Sequence, residues 1–349
     1  MNMAMKPQAA PSTPTDFLLA SRGPRWHSCG MKTICWFLLP LALILSSWAC
    51  THGRSALAED DLSAGAGRLI IWAHADIQPG NEEEKSHYET AVRDMKTLPF
   101  VPDMALVAGD LVHRLDSQSR WDWMKGLRAQ TGIPLWFEIA GNHDLNDPAS
   151  YLRNSGRPLH YAVRYGNILF IFLSDEIRSA VTDISDGAFR WWRDLVIRNQ
   201  DSIIVTVTHA ALSSSGLIAT ANWTMKIRDS ARFRDVLLNY PVDLWISGHT
   251  HLPNFLAVKS ATHEDHTTLF LDVSSIHKSR GSPVESWILV FREGSRTMLC
   301  APRNHEKGVF YSFTTIRHEL TRPFHRGDGK ALIVSTYEPP LPVRKTIKN

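Results

Sequence analysis

The sequence predicts a layered α/β fold, and three observations carry that prediction. Short apolar runs rich in β-branched and aromatic residues recur from residue 59 to the C-terminus, helical patterns alternate with them, and no repeat or long low-complexity stretch interrupts the series. In chain order the apolar runs predict strands at Leu69–Ala73, Met104–Ala108, Leu135–Ala140, Ile168–Leu173, Ile203–Thr208, Leu244–Ser247, Leu269–Val273 and Trp287–Phe291. Helices are expected over Glu83–Lys96, Phe189–Gln200 and Ala231–Asn239, the last stopped by Pro241. Tyr161–Tyr165 and Ile168–Phe172, separated by Gly166-Asn167, read as a hairpin, and Arg292 to Pro302 reads as another around Glu293-Gly294. The chain after Arg322, residues 323–349 with PPLP near its end, is expected to be an extended surface tail.

Composition fits an ordinary globular chain. With 349 residues, 44% hydrophobic content and a formal charge of +3, it can bury a full core. Lys and Arg are interspersed with Asp and Glu, so nothing points to nucleic acid. The N-terminus has a different character. Met31-Lys32, the apolar run Thr33–Ala49 and the small-x-small pattern Ala56-Leu57-Ala58 before Glu59 make a secretory signal over 31–58, with cleavage after Ala58. Residues 1–30, polar and proline-rich, then form a non-structural extension upstream of a start at Met31. Two alternatives remain: an uncleaved anchor through residues 33–49, close to the shortest span of about 17 residues, and lipid modification of Cys50. In the exported reading, periplasmic or secreted, residues 59–322 are the folded domain. Membrane contact is then limited to the N-terminal segment. Cys300 becomes the single cysteine of the mature chain, so no intrachain disulfide supports the fold.

The chemistry lies at five strand ends. The first expected strand leads to Asp76 and Gln78, the second to Gly109-Asp110, and the third to Gly141-Asn142-His143-Asp144. The fifth leads to His209 and the sixth to Gly248-His249-Thr250-His251. The carboxyl edge of a sheet is where α/β proteins bind ligands. Any one such Asp, Asn or His is usually a turn former or a hydrogen-bonded core residue; five together are not. Carboxylate, amide oxygen and imidazole form a donor set suited to Zn, Mn or Fe rather than Ca. Asp76, Asp110, Asn142, His209, His249 and His251 are too many for one tetrahedral ion with an open position, and suit two divalent ions that share a bridging ligand.

In this order, D-x-Q, G-D-L-V, G-N-H-D, T-H and G-H-T-H resemble the calcineurin-like metallophosphoesterases, whose usual series is D-x-H, G-D, G-N-H-D/E, H and G-H-x-H. The resemblance implies a four-layer αββα sandwich of two mixed β-sheets flanked by helices. It also implies hydrolysis of a phosphomonoester or phosphodiester by attack of a metal-bridging hydroxide at a binuclear centre. By the same resemblance Asp110 bridges the ions, Asp76 and His251 complete the first site, and Asn142, His209 and His249 complete the second. His143 is implied to protonate the leaving oxygen, with Asp144 fixing its tautomer.

Gln78 departs from the pattern, because it offers a neutral amide oxygen where the family commonly has an imidazole. His113, three residues after Asp110, is a candidate replacement, since purple acid phosphatases place a tyrosine ligand at that offset. It could equally face substrate or solvent. His74 is read as a core residue. Arg120–Trp123 and Ser213–Lys226 are the candidate rim for an organic substituent of the substrate, or plain surface packing. A competing reading keeps the fold as a binding module with a weak or inactive metal centre, and Gln78 is the feature that favours it.

Overall fold

Alternation along β1 (Arg68–His74) divides the interior: Leu69, Ile71 and Ala73 enter one core while Ile70 and Trp72 enter another. The computed structural model describes residues 67–113, 118–176, 182–273, 275–278 and 281–339. The expected extension and signal, residues 1–58, lie outside them.

β1 pairs in parallel with β2 (Met104–Val107), which pairs in parallel with β3 (Leu135–Glu138). On its other side it runs antiparallel to β10 (Glu285–Arg292), and beyond that strand come β11 (Thr297–Asn304) and the short β12 (Val309–Phe310). β13 (Ile316–Glu319) pairs with β11, completing a seven-stranded mixed sheet. The second seven-stranded sheet has a parallel centre of β5 (Ile168–Leu173), β6 (Ile203–Thr208), β7 (Leu244–Ser247) and β9 (Thr267–Asp272). β4 (His160–Tyr165) forms the expected hairpin with β5, and β8 (Val258–Thr262) closes the far edge against β9.

The two sheets share a core that includes Leu106, Phe170, Val205, Ile246 and Leu289. The outer face of the first sheet is covered by α1 (Glu82–Met95), α2 (Gln118–Gln130) and α3 (Pro148–Ser155), through Tyr88, Met124 and Tyr151. The outer face of the second is covered by α4 (Asp186–Arg198) and α5 (Ala231–Leu237), through Trp192 and Phe233. The result is the αββα sandwich. Its register is held by these alternating apolar sets, since a one-residue slip would turn each strand's residues into the wrong layer.

Two expectations resolve further. Of the two readings of Arg120–Trp123, packing holds for Trp121: the segment is part of α2, and Trp121 is buried against α3, because the W-x-x-M spacing of Trp121 and Met124 places both on one helical face. The expected tail is also partly sheet: Ala331–Tyr337 forms β14, paired antiparallel with β4 at the edge. Its β-branched residues Ile333, Val334 and Thr336 suit a pleated edge, and Trp191 Nε1 ties it down by donating to Ser335 Oγ at 2.9 Å.

Candidate metal centre

The carboxyl ends of β1, β2, β3, β6 and β7 meet at one edge of the sandwich. Backbone hydrogen bonds lock the adjoining loops together: Asp76 N to Gly109 O at 3.0 Å, Gln78 N to Asp110 O at 3.1 Å and Gly248 N to His209 O at 2.8 Å. Among the described residues, five non-glycine residues adopt left-handed φ. Four of them are Asp76 (55°), Asp110 (55°), His249 (70°) and His251 (52°), and the fifth is Asp229. Such conformations cost about 1–3 kcal/mol each and persist only where the surroundings impose them. Glycine makes the close approach possible: a Cβ on Gly141 would collide with Asp110 Oδ1, and one on Gly248 would lie 2.9 Å from Asp76 Oδ2.

Tautomers follow from backbone carbonyls. His209 Nδ1 lies 2.8 Å from Ala108 O, and His249 Nε2 lies 2.9 Å from Thr224 O, so each of those nitrogens carries the proton. The opposite nitrogens hold lone pairs, yet they face other acceptors. His209 Nε2 is 3.1 Å from Asn142 Oδ1, 3.1 Å from His249 Nδ1 and 3.2 Å from Asp110 Oδ2. Ligand atoms of Asp110, His209 and His249 all fall within 4.8 Å of one another. Four lone-pair donors aimed at one small volume repel unless a metal ion or a proton sits among them, and imidazoles oriented by carbonyls through their far nitrogen are the usual arrangement around a metal.

Charge perturbations agree with this crowding. A proton also relieves it: burial alone would lower the proton affinity of His209, but the Asp110 carboxylate, 3.2 Å from Nε2, overrides it and holds the imidazole well above its ordinary value. Burial and the neighbouring His209 push His249 down to about 4. Against the cost of burial, His209 and His143 keep Asp110 below the usual carboxylate range.

The other half of the site is built around Asp76. Its Oδ2 accepts from His249 N at 2.9 Å, while Oδ1 is buried 3.2 Å from His251 Nε2 without accepting a hydrogen bond. Gln78 Nε2 donates to Asp110 Oδ2 at 3.3 Å, leaving its buried Oε1 unpartnered. These orphaned oxygens beside an imidazole fit a second cation, so the donor chemistry of the whole pocket matches what divalent ions require.

His143 reaches the same pocket: its backbone N donates to Asp110 Oδ1 at 2.8 Å and its Nε2 stands 3.9 Å from Asp110 Oδ2. Its expected partner is occupied elsewhere. Asp144 accepts from Leu111 N at 3.0 Å, Val112 N at 3.1 Å and Gly141 N at 2.9 Å. Adjacent side chains diverge in the turn after β3, so Asp144 staples the β2 and β3 loops together; burial and the Asp110 charge raise its pKa to about 7. The ring opposite His143 Nδ1 is instead His113, at 2.8 Å between Nδ1 atoms.

The Ser213–Lys226 segment does overhang the pocket. Its 3₁₀ turns carry Thr224, the carbonyl partner of His249, beside Trp223, which is 67% exposed. His74 stacks on Trp72 at 4.1 Å in the helix-side core, and burial lowers its pKa well below the ordinary value. Sequence patterns also missed His277. It follows the end of β9, the same position logic as the five sites above, but belongs to no repeated motif; its N donates to Asp76 O at 3.0 Å.

Comparison with known proteins agrees with this geometry. The profile of the calcineurin-like phosphoesterase family matches residues 69–253, just over half of the chain. No curated protein matches it. Among solved structures, GAP50, the anchor in the inner membrane complex of Plasmodium, is 12% identical, with 74% of this chain and 90% of that one covered at a TM-score of 0.52. A Staphylococcus aureus protein proposed as a 5′-nucleotidase is 13% identical, covering 74% of this chain and 55% of its own at a TM-score of 0.45. TT1561 of Thermus thermophilus is 10% identical, covering 70% and 97% at a TM-score of 0.44.

Proposed function

We propose, since the chain belongs to the calcineurin-like phosphoesterase family, that it is an active hydrolase of phosphoric esters with two divalent ions at the strand-end pocket. The observation that carries this reading is the convergence of His209 Nε2, His249 Nδ1, Asn142 Oδ1 and Asp110 Oδ2, with both imidazoles oriented by backbone carbonyls through their far nitrogens. In this reading Asn142, His209 and His249 hold one ion, Asp76 and His251 the other, and Asp110 touches both. Divalent ions bound there supply a nucleophile at neutral pH and neutralise charge on the phosphoryl oxygens.

The chain's own groups do the rest. His143 Nε2, on the Asp110 side of the pocket, delivers a proton to the leaving oxygen, and His113 orients its ring through the Nδ1 contact. Asp144 keeps the two loops in register by its three backbone bonds. Trp223 offers an exposed aromatic face to an organic substituent of the ester. Export is part of the proposal and rests on the sequence pattern of residues 31–58; among the described residues no helix is long and apolar enough to cross a membrane.

A screen of phosphomonoesters and phosphodiesters against the chain loaded with Mn, Fe or Zn tests the reading. Turnover that a chelator abolishes and the metal restores is expected. Gln78 favours the competing binding module, and ion binding without hydrolysis of any ester in the screen would establish that alternative.

A further inference from the structure

The imidazole missing at position 78 has a spatial counterpart. His277 enters from the loop between β9 and β10, where Ile276 N donates to Ala75 O at 3.1 Å and His277 N to Asp76 O at 3.0 Å. This places its backbone directly alongside the residue that opens the Asp76 half of the pocket. Its ring centre lies 5.7 Å from that of His251, at an interplanar angle of 60°. Two imidazoles on one tetrahedral ion, with metal–nitrogen distances of about 2.1 Å, have ring centres roughly 5–6 Å apart. On the far side, His277 Nε2 stands 3.5 Å from Glu84 Oε1. Glu84 is itself held in place at the start of α1, where Asn81 Nδ2 donates to its Oε1 at 3.0 Å. A carboxylate behind one ring nitrogen is the arrangement that orients a ligating histidine and raises its basicity.

Resting on the binuclear reading above, we propose that His277 is a ligand of the Asp76–His251 ion, restoring the imidazole that Gln78 lacks, with Glu84 as its positioning residue. Gln78 is thereby released to hold Asp110 Oδ2 through its amide nitrogen, at 3.3 Å. The site regains a nitrogen donor from a different strand crossover.

Metal content after equilibrium dialysis against fixed free Zn²⁺ or Mn²⁺ tests this without reference to turnover. The full chain is expected to hold two ions, and His277→Ala to hold one at free-ion concentrations that saturate the native chain. Glu84→Gln should raise the dissociation constant of the weaker ion about 10- to 100-fold. Adding Gln78→His to His277→Ala should return the second ion, which also shows that the single variant was folded. Two ions at native affinity in His277→Ala would overturn the proposal while leaving the binuclear reading intact. Fewer than one ion on the native chain would overturn both.

Discussion

Two buried charged clusters, one behind the first sheet and one at the carboxyl end of β1, show how differently a fold can use the same residue types. Behind the first sheet, Asp94 takes Arg303 Nε and Nη2, each at 2.6 Å, and His305 Nδ1 at 2.8 Å. His305 Nε2 then meets Ser286 Oγ at 2.7 Å, and that hydroxyl accepts from Trp72 Nε1 at 2.8 Å. Each of these named donors finds an acceptor. At the strand-end pocket acceptors face acceptors, oxygens of Asp76 and Gln78 are orphaned, and four residues sit in left-handed backbone. The named atoms of the first cluster satisfy one another; the second leaves acceptors unmatched, which is what the proposed cations would answer. Burial does not distinguish these two clusters, but the matching of donors to acceptors within each does.

Variants that break this contrast should act on different observables. The largest effect is expected from Asp110→Asn, which removes the carboxylate common to both proposed ion sites: metal analysis should find both ions lost, and turnover should fall by at least about 10³-fold. His143→Ala should keep its ions and lose about 10²–10³-fold in turnover on an alkyl phosphoester. The loss should be much smaller on a nitrophenyl ester, whose leaving group needs no proton. Arg303→Met leaves Asp94 as a buried charge without its main partner. A stability loss of about 3–5 kcal/mol in urea unfolding, with ion binding at 25 °C unchanged, is expected. The smallest effect is pH-dependent. Burial opposes ionisation of Asp94, but His305 and Arg303 outweigh it and hold its pKa below the usual value. Its stabilising contribution is therefore present above the unfolded value of about 3.9 and lost as pH falls through the lower folded one. The stability gap between native chain and Asp94→Asn should shrink below about pH 4, measured on metal-free protein.

Much of the pocket was legible in the sequence because candidate metal-binding residues follow five strands directly, so strand order and loop position were enough to gather them. What sequence spacing does not encode is direction. His143 and Asp144 are neighbours in the chain, yet one faces the pocket and the other turns under it to bind Leu111, Val112 and Gly141. His277 became visible only through the pairing of its loop with residues two hundred positions earlier. Arg120–Trp123 allowed the rim reading because aromatic and charged residues alternate there, whereas the helical period sends Trp121 inward and Asp122 outward. β14 was hidden because its partner, β4, is more than one hundred and sixty residues away, and an edge strand carries little burial pattern of its own.

The central claim is that the strand-end pocket is a pair of cation sites, one imidazole-rich and preset, the other assembled around Asp76. Calorimetric titration of the metal-free chain with Zn²⁺ or Mn²⁺ tests it most directly. Two binding events of unequal affinity per chain are predicted, both absent in Asp110→Asn and both retained in Arg303→Met. A single event, or binding that Asp110→Asn leaves untouched, would contradict it.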